Sequence, residues 1–129
     1  MTILAVYAGI LGLMFFLMSA RISTMRARNK VLIGHADNHV LHRAIRAHAN
    51  FAEYVPLCLI LIGFVSALGF SAWVIHVLCL LLIAMRLIHA WGVSTGTPIG
   101  QTIGAAMTYN IVIAASVLAI LGGGFGIRF

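Results

Sequence analysis

The stretch His42-Arg43-Ala44-Ile45-Arg46-Ala47-His48-Ala49-Asn50-Phe51-Ala52-Glu53-Tyr54-Val55-Pro56 decides how the rest of the chain is read. It carries two arginines, an amide and one of the chain's two acids, then continues unbroken into an apolar run ending near Leu68. From Tyr54 to Leu68 that run is about 15 residues, roughly 22 Å as α-helix. A bilayer core of roughly 30 Å requires about 20 residues, so the span reaches back about five residues further, to around Ala49. Asn50 and Glu53 then lie within the hydrocarbon, with Arg46 near its edge. At about 100° per residue, His39, Arg43, Arg46, Asn50, Glu53 and Tyr54 share an arc of about 100°, and His48 lies on the other side. Ionisable groups at membrane depth are costly, usually face a bundle interior and mark functional sites by default. A structural ion pair between helices is the alternative.

Composition supports the membrane reading. Of 129 residues, 63% are hydrophobic, and only eight are Lys or Arg and two Asp or Glu. A soluble domain carries about 25% charged residues, so one compact all-α membrane domain over 1–129 is expected. The net charge of +6 does not point to nucleic acid. Arg21, Arg26, Arg28 and Lys30 directly follow an apolar run, as basic residues do in cytoplasmic membrane loops, and can attract anionic headgroups. Cys58 and Cys79 sit in apolar runs with no CxxC or zinc spacing and read as small packing residues.

Taken in order, the chain predicts four spans, roughly 2–20, 49–68, 71–91 and 102–121. The first has no preceding basic region, which distinguishes it from a signal peptide. It reads as a retained span with its N-terminus outside. Arg21 to Asn38 reads as a polar cytoplasmic connection, with Gly34 and Asp37-Asn38 as turn and cap signals. Helix two begins near Asn38 or His39, and Pro56 should kink it and free the Ala52 carbonyl. Val93 to Gln101 reads as a loop, and Gly122-Gly123-Gly124 as the end of the fourth helix. Four spans put both termini on the non-cytoplasmic side. Gly96, Gly100, Gly104 and Thr108 recur every four residues, a spacing that lets membrane helices approach closely. Asn110 reads as an interhelical hydrogen-bonding residue and His76 as an outer packing residue. His35, Asp37, His39 and His42 form an incomplete ligand set if His35 lies outside the helix, and no metal site is assigned.

A short turn at Gly69 to Ser71 makes helices two and three antiparallel neighbours. Glu53 and Arg86 lie equally far from it, some 24 Å at 1.5 Å per residue, which makes them expected partners. His89 is one turn further on the face of Arg86. Arg43, Arg46 and Arg86 face the single acid Glu53, and the surplus positive charge is met either by water and lipid phosphates around Arg43 and Arg46 at the interface or, on the sharper reading, by an anionic ligand from the cytoplasmic side. Arginine suits a carboxylate because its fork binds both oxygens.

The segment Ala44 to Pro56 resembles the second-helix signature of the MAPEG family, membrane-associated proteins in eicosanoid and glutathione metabolism. Met85-Arg86-Leu87-Ile88-His89-Ala90-Trp91-Gly92 resembles the end of that family's third helix. The four spans, basic first loop and chain length also match, most closely to small bacterial members. The resemblance implies a homotrimer in a bacterial inner membrane, with glutathione bound between protomers near the cytoplasmic face. It implies that Arg46 contacts a glutathione carboxylate, and that Asn50 and Glu53 hold its polar backbone and amino group. Arg86 would pair near Glu53 or reach the ligand, His89 would shape the pocket wall, and Arg43 matches a less consistent basic position.

One departure bears on chemistry. Active members of that family carry an arginine at the start of helix four that stabilises the glutathione thiolate. Here residues 93–127 contain no Lys or Arg, and Val93 is apolar where a polar residue is common. Gln101 and Thr102 are weak catalytic candidates, since an amide or hydroxyl lowers a thiol pKa less than a fixed cation does. The expectation is binding of glutathione or a similar anion with slow or absent conjugation. An active transferase or peroxidase would draw a lipophilic substrate from the bilayer. The alternatives are a non-catalytic binding or structural protein and, more remotely, a proton-coupled transporter, although the first span carries no acid.

Overall fold

The computed structural model describes residues 2–127 and folds them into four helices: α1 (Thr2–Asn29), α2 (His39–Ala67), α3 (Ala72–Thr95) and α4 (Pro98–Phe125). All four are long and apolar enough to cross a membrane. Their relative directions follow from cross-links. Tyr7 Oη and His76 Nδ1 are 2.7 Å apart at one end, while Arg21 Nη1 donates to Ser94 Oγ at 2.9 Å near the other. Helices α1 and α3 therefore run parallel. Ser19 Oγ lies 2.7 Å from His48 Nε2, and Leu4 lies against Gly63, which together set α2 antiparallel to α1. Gly122 lies against Phe70 and Gly100 against Gly92, which sets α4 antiparallel to α3. The described ends of α1 and α4 thus meet the same end of the bundle as the Leu68–Ser71 turn.

The core forms where α2 and α3 turn their apolar stripes toward the other helices. Phe51, Val55, Cys58, Ile62 and Val65 of α2 pack with Ile75, Leu78, Cys79 and Leu82 of α3, with Leu4 and Leu11 of α1, and with Ile111 and Ala115 of α4. Both cysteines are free and buried. Outward faces carry exposed Phe16, Leu17, Trp73, Ile113 and Ile120, the surface a hydrocarbon solvent accepts.

Three helix bounds differ from those read off the sequence. First, α1 does not stop near Ala20, and Arg21, Arg26 and Arg28 lie on it rather than in a loop. Ala, Arg and Met are strong helix formers, and Arg26 and Arg28 in the last turn complement the negative end of the dipole. The helix ends at Lys30 with φ 54°, where Val31 N–H closes back on the Arg26 carbonyl at 3.0 Å. Second, the loop expected over residues 93–101 shrinks to Gly96 and Thr97. Gly96 caps α3 at φ 76° rather than lying on a helix face, and Pro98 opens α4, where its missing N–H costs nothing. Third, α4 continues through Gly122, Gly123 and Gly124 to Phe125, because Gly122 packs on Phe70 rather than ending the helix.

Asn38 caps α2 as read from the sequence: its Oδ1 accepts from Val40 and Leu41 N–H at 3.0 Å each. Its Nδ2 also donates to Asn29 Oδ1 at 3.1 Å, tying the start of α2 to the end of α1. Helix α2 runs on through Pro56.

Candidate functional site

The arc of polar residues on α2 faces a groove of about 450 Å³ at the basic end of the bundle. Four elements of local structure build it. The Asn38 cap starts α2 so that His39, His42, Arg43, Arg46 and Asn50 follow one another along the wall. The long α3 brings His89 and Val93 opposite. The two-residue turn at Gly96 and Thr97 returns the chain at once, and Gln101 enters from α4. Close approach of α3 and α4 fixes the back. A β-carbon at Gly92 would stand 2.5 Å from Gln101 N, and one at Gly104 would stand 2.5 Å from His89 Cβ.

Arg43 is better placed than the resemblance implies. Its Nη1 lies 3.0 Å from where a Gly96 β-carbon would stand, so the guanidinium covers the α3–α4 turn. Its Nε is buried with no hydrogen-bond partner. Arg46 is exposed on the groove's open side. His89 is buried against the α4 backbone.

Arg86 is 1% exposed, the largest fully buried side chain among the described residues. Its partner is Asn50: Nη1 donates to Asn50 Oδ1 at 2.9 Å. Nε and Nη2 are buried without an acceptor. This bond has a chemical consequence, because an amide whose oxygen is occupied presents its N–H₂ as the remaining polar group. Asn50 therefore offers donors to a groove it lines.

The expected Arg86–Glu53 pair does not form. No ion pair joins the two residues, and Glu53 is exposed. Arg86 instead meets Asn50, one turn before Glu53 on α2. At about 100° per residue, Glu53 sits roughly 165° from the middle of the buried stripe of α2, whereas Asn50 is about 60° nearer. The groove thus gathers Arg43, Arg46, Asn50, His89 and Gln101, with Arg86 behind Asn50. It does not include Glu53, and Thr102 is exposed outside it. His39 and His42 join the groove. His39 lay within the predicted arc, and His42, just outside it, was legible only as a neighbour of Arg43.

Neither acid of the chain lines the groove, so its fixed charge is entirely positive. Guanidinium forks and amide donors directed at one space fit a carboxylate-bearing ligand. Near the turn into α4, Val93 is apolar, and Gln101 Nε2 is 3.5 Å from the Gly92 carbonyl. Thr108 is buried and returns its hydroxyl to the Gly104 carbonyl at 2.7 Å. The rings of Tyr54 and Tyr109 meet at 5.2 Å on the α2–α4 side.

His48 and His76 serve packing. His48 stacks on Phe15 with centroids 4.6 Å apart, on the far side of α2 from the groove. His76 bonds Tyr7 across α1 and α3. Asn110 Nδ2 donates to the Ala106 carbonyl in its own helix at 3.1 Å rather than to another helix.

Comparison with known proteins adds two findings. Residues 4–121 match the MAPEG family. The chain is also similar to "Inner membrane protein YecN" of Escherichia coli strain K12, 32% identical over 88 residues that cover 68% of this chain and 67% of that protein. The protein of the same name from Escherichia coli O6:H1 strain CFT073 matches with the same identity and coverage. A match across nearly the whole four-helix unit, including both polar segments that build the groove, shows that this chain belongs to the MAPEG family.

Proposed function

We propose that this protein binds glutathione, or an anion of similar chemistry, in the groove between α2, α3 and α4, at the cytoplasmic side of a homotrimer with both termini on the opposite side. The observation that supports this best is the groove's uncompensated charge: Arg43 and Arg46 line it, Arg86 backs it, and no Asp or Glu side chain lines it. A ligand carboxylate would accept from the Arg46 and Arg43 guanidinium groups that line the groove. Asn50, its oxygen held by Arg86, would donate to a second acceptor, and His89 would close the wall. Exposed Glu53 would then face a neighbouring protomer, where it could meet the ligand's ammonium group. Isothermal titration of detergent-solubilised protein should give saturable glutathione binding that Arg46→Ala weakens at least tenfold. Absence of binding up to millimolar glutathione overturns the proposal.

Turnover would be slow. Residues 93–127 supply no cation to hold a thiolate, and Gln101 with Thr102 offers only weaker hydrogen bonds. This favours a binding protein over an efficient transferase or peroxidase acting on lipophilic electrophiles. Conjugation assays over several electrophiles separate the two readings: a rate that Arg46→Ala abolishes marks an enzyme, and binding without conjugation marks a binding protein.

A further inference from the structure

The connection between α1 and α2 is held in a conformation it would not adopt alone. Gly34, Ala36 and Asp37 all take positive φ, at 74°, 45° and 56°. Glycine accepts that region and aspartate visits it, but an alanine β-carbon disfavours it. Backbone strain of this kind persists only where the surroundings impose it, and it gathers at switching segments. Here a hydrogen bond and a ring stack impose it. The Asn38 N–H donates to the His35 carbonyl at 2.9 Å and closes the turn. The His35 ring lies on that of His42, with centroids 4.5 Å apart and planes 11° from parallel. His42 lines the cationic groove, so the stack fastens the connection to the groove's mouth.

Charge decides when that fastening holds. His35 Nδ1 is buried without a hydrogen-bond partner. In a neutral ring it can be the nitrogen that carries no proton, whereas in a charged ring both nitrogens are donors. A buried cationic donor without an acceptor is costly. The surroundings also oppose added charge. His39, Arg43 and Arg46 of α2 and His89 of α3 line the groove with His42, and α4 contributes the uncharged Gln101. Arg26 and Arg28 stand in the last turn of α1, with Lys30 just after it. Asp37 is the acid of the connection, and it is exposed. Histidine changes charge between about pH 5 and 8. A fall in pH therefore loads like charges onto two rings in contact, and a proton onto a nitrogen with nothing to donate to.

We propose that the His35–His42 stack is a proton-sensitive latch. It holds the α1–α2 connection against the groove while both rings are neutral and releases it as pH falls. On release the left-handed turn at Ala36 and Asp37 relaxes, and the His42 ring turns free at the mouth. The consequence for a ligand, a wider entry, rests on the reading of the groove as an anion site; the latch itself does not.

The test is hydrogen exchange read by mass spectrometry on the ligand-free, detergent-purified full chain, expressed as protection relative to the intrinsic rate at each pH. From about pH 8 to about pH 5.5, protection over residues 35–41, which include the Asn38 amide, should fall about tenfold. His35→Phe keeps a ring in the stack and removes its charge and its unpartnered nitrogen, so the segment should stay protected at both pH values. His35→Ala removes the ring, so protection should be low at both. Amides of the α3 core from Leu78 to Leu82 report that each protein is folded. Wild-type protection that does not change with pH overturns the proposal, as does a full pH response in His35→Phe or full protection in His35→Ala. No ligand enters the measurement, so a failure of glutathione binding leaves the latch standing, and a failure of the latch leaves the reading of the groove intact.

Discussion

The bond from Arg86 to Asn50 carries the chemistry at the scale of single residues. A buried guanidinium with one neutral acceptor keeps its full charge available, whereas pairing with a carboxylate would cancel it. Asn50→Asp tests this. The new carboxylate would pair with Arg86, raising the melting temperature of the ligand-free protein while repelling an anion in the groove. Glutathione affinity should fall about tenfold, roughly 1.4 kcal/mol, as read by titration alongside a thermal melt. A fall in both properties would instead assign Asn50 a packing role. Binding at exposed Arg46 should also weaken as salt rises from low to physiological ionic strength, where the Debye length is about 8 Å; affinity independent of salt would count against charge recognition. At this scale the residue types of the site were legible, because charge at membrane depth is rare and conspicuous. The partner of Arg86 was not. Glu53 and Asn50 differ by about 4.5 Å in depth and by a rotation of about 60°, and only packing chooses between them.

Among the elements, the contact between α3 and α4 sets the back of the groove. Gly104 touches His89 backbone atoms so closely that a β-carbon would stand 2.7 Å from both its N and its Cα. Gly104→Val should therefore push the helices apart and destabilise by about 1–3 kcal/mol, seen as a lower melting temperature with weakened glutathione binding. Gly123→Ala, which meets nothing within 4 Å, serves as the matched control. The four-residue spacing of small residues announced this close approach in sequence. Asn38→Ala should cost about 1 kcal/mol and loosen the tie to Asn29, measurable as faster hydrogen exchange at the start of α2. That cap was legible because an Asn before an amphipathic run has few other uses. The bounds of α1 and α4 were not, because hydropathy locates the membrane rather than the end of the helix: Arg21 to Asn29 leave the hydrocarbon without leaving the helix.

The whole molecule shows why a small membrane protein can keep a polar site. The groove lies at the basic end of the bundle, while Glu53, deeper and outward, forms no ion pair among the described residues. Buried or lipid-exposed acids are costly, which is the physical argument for neighbouring copies. Detergent-corrected mass should give a trimer, and Glu53→Gln should change glutathione affinity without unfolding the protomer; a monomer with full affinity would place the site within one chain. The sequence by itself determined the four apolar helices, the family and the residue types of the cationic patch, since hydrophobic length and charge at depth are one-dimensional properties. Only the tertiary structure decided that Asn50 takes Arg86 and that Glu53 turns outward. Each depends on how helices are rotated about their axes and how closely they approach, and those are settled by packing between segments far apart in the chain.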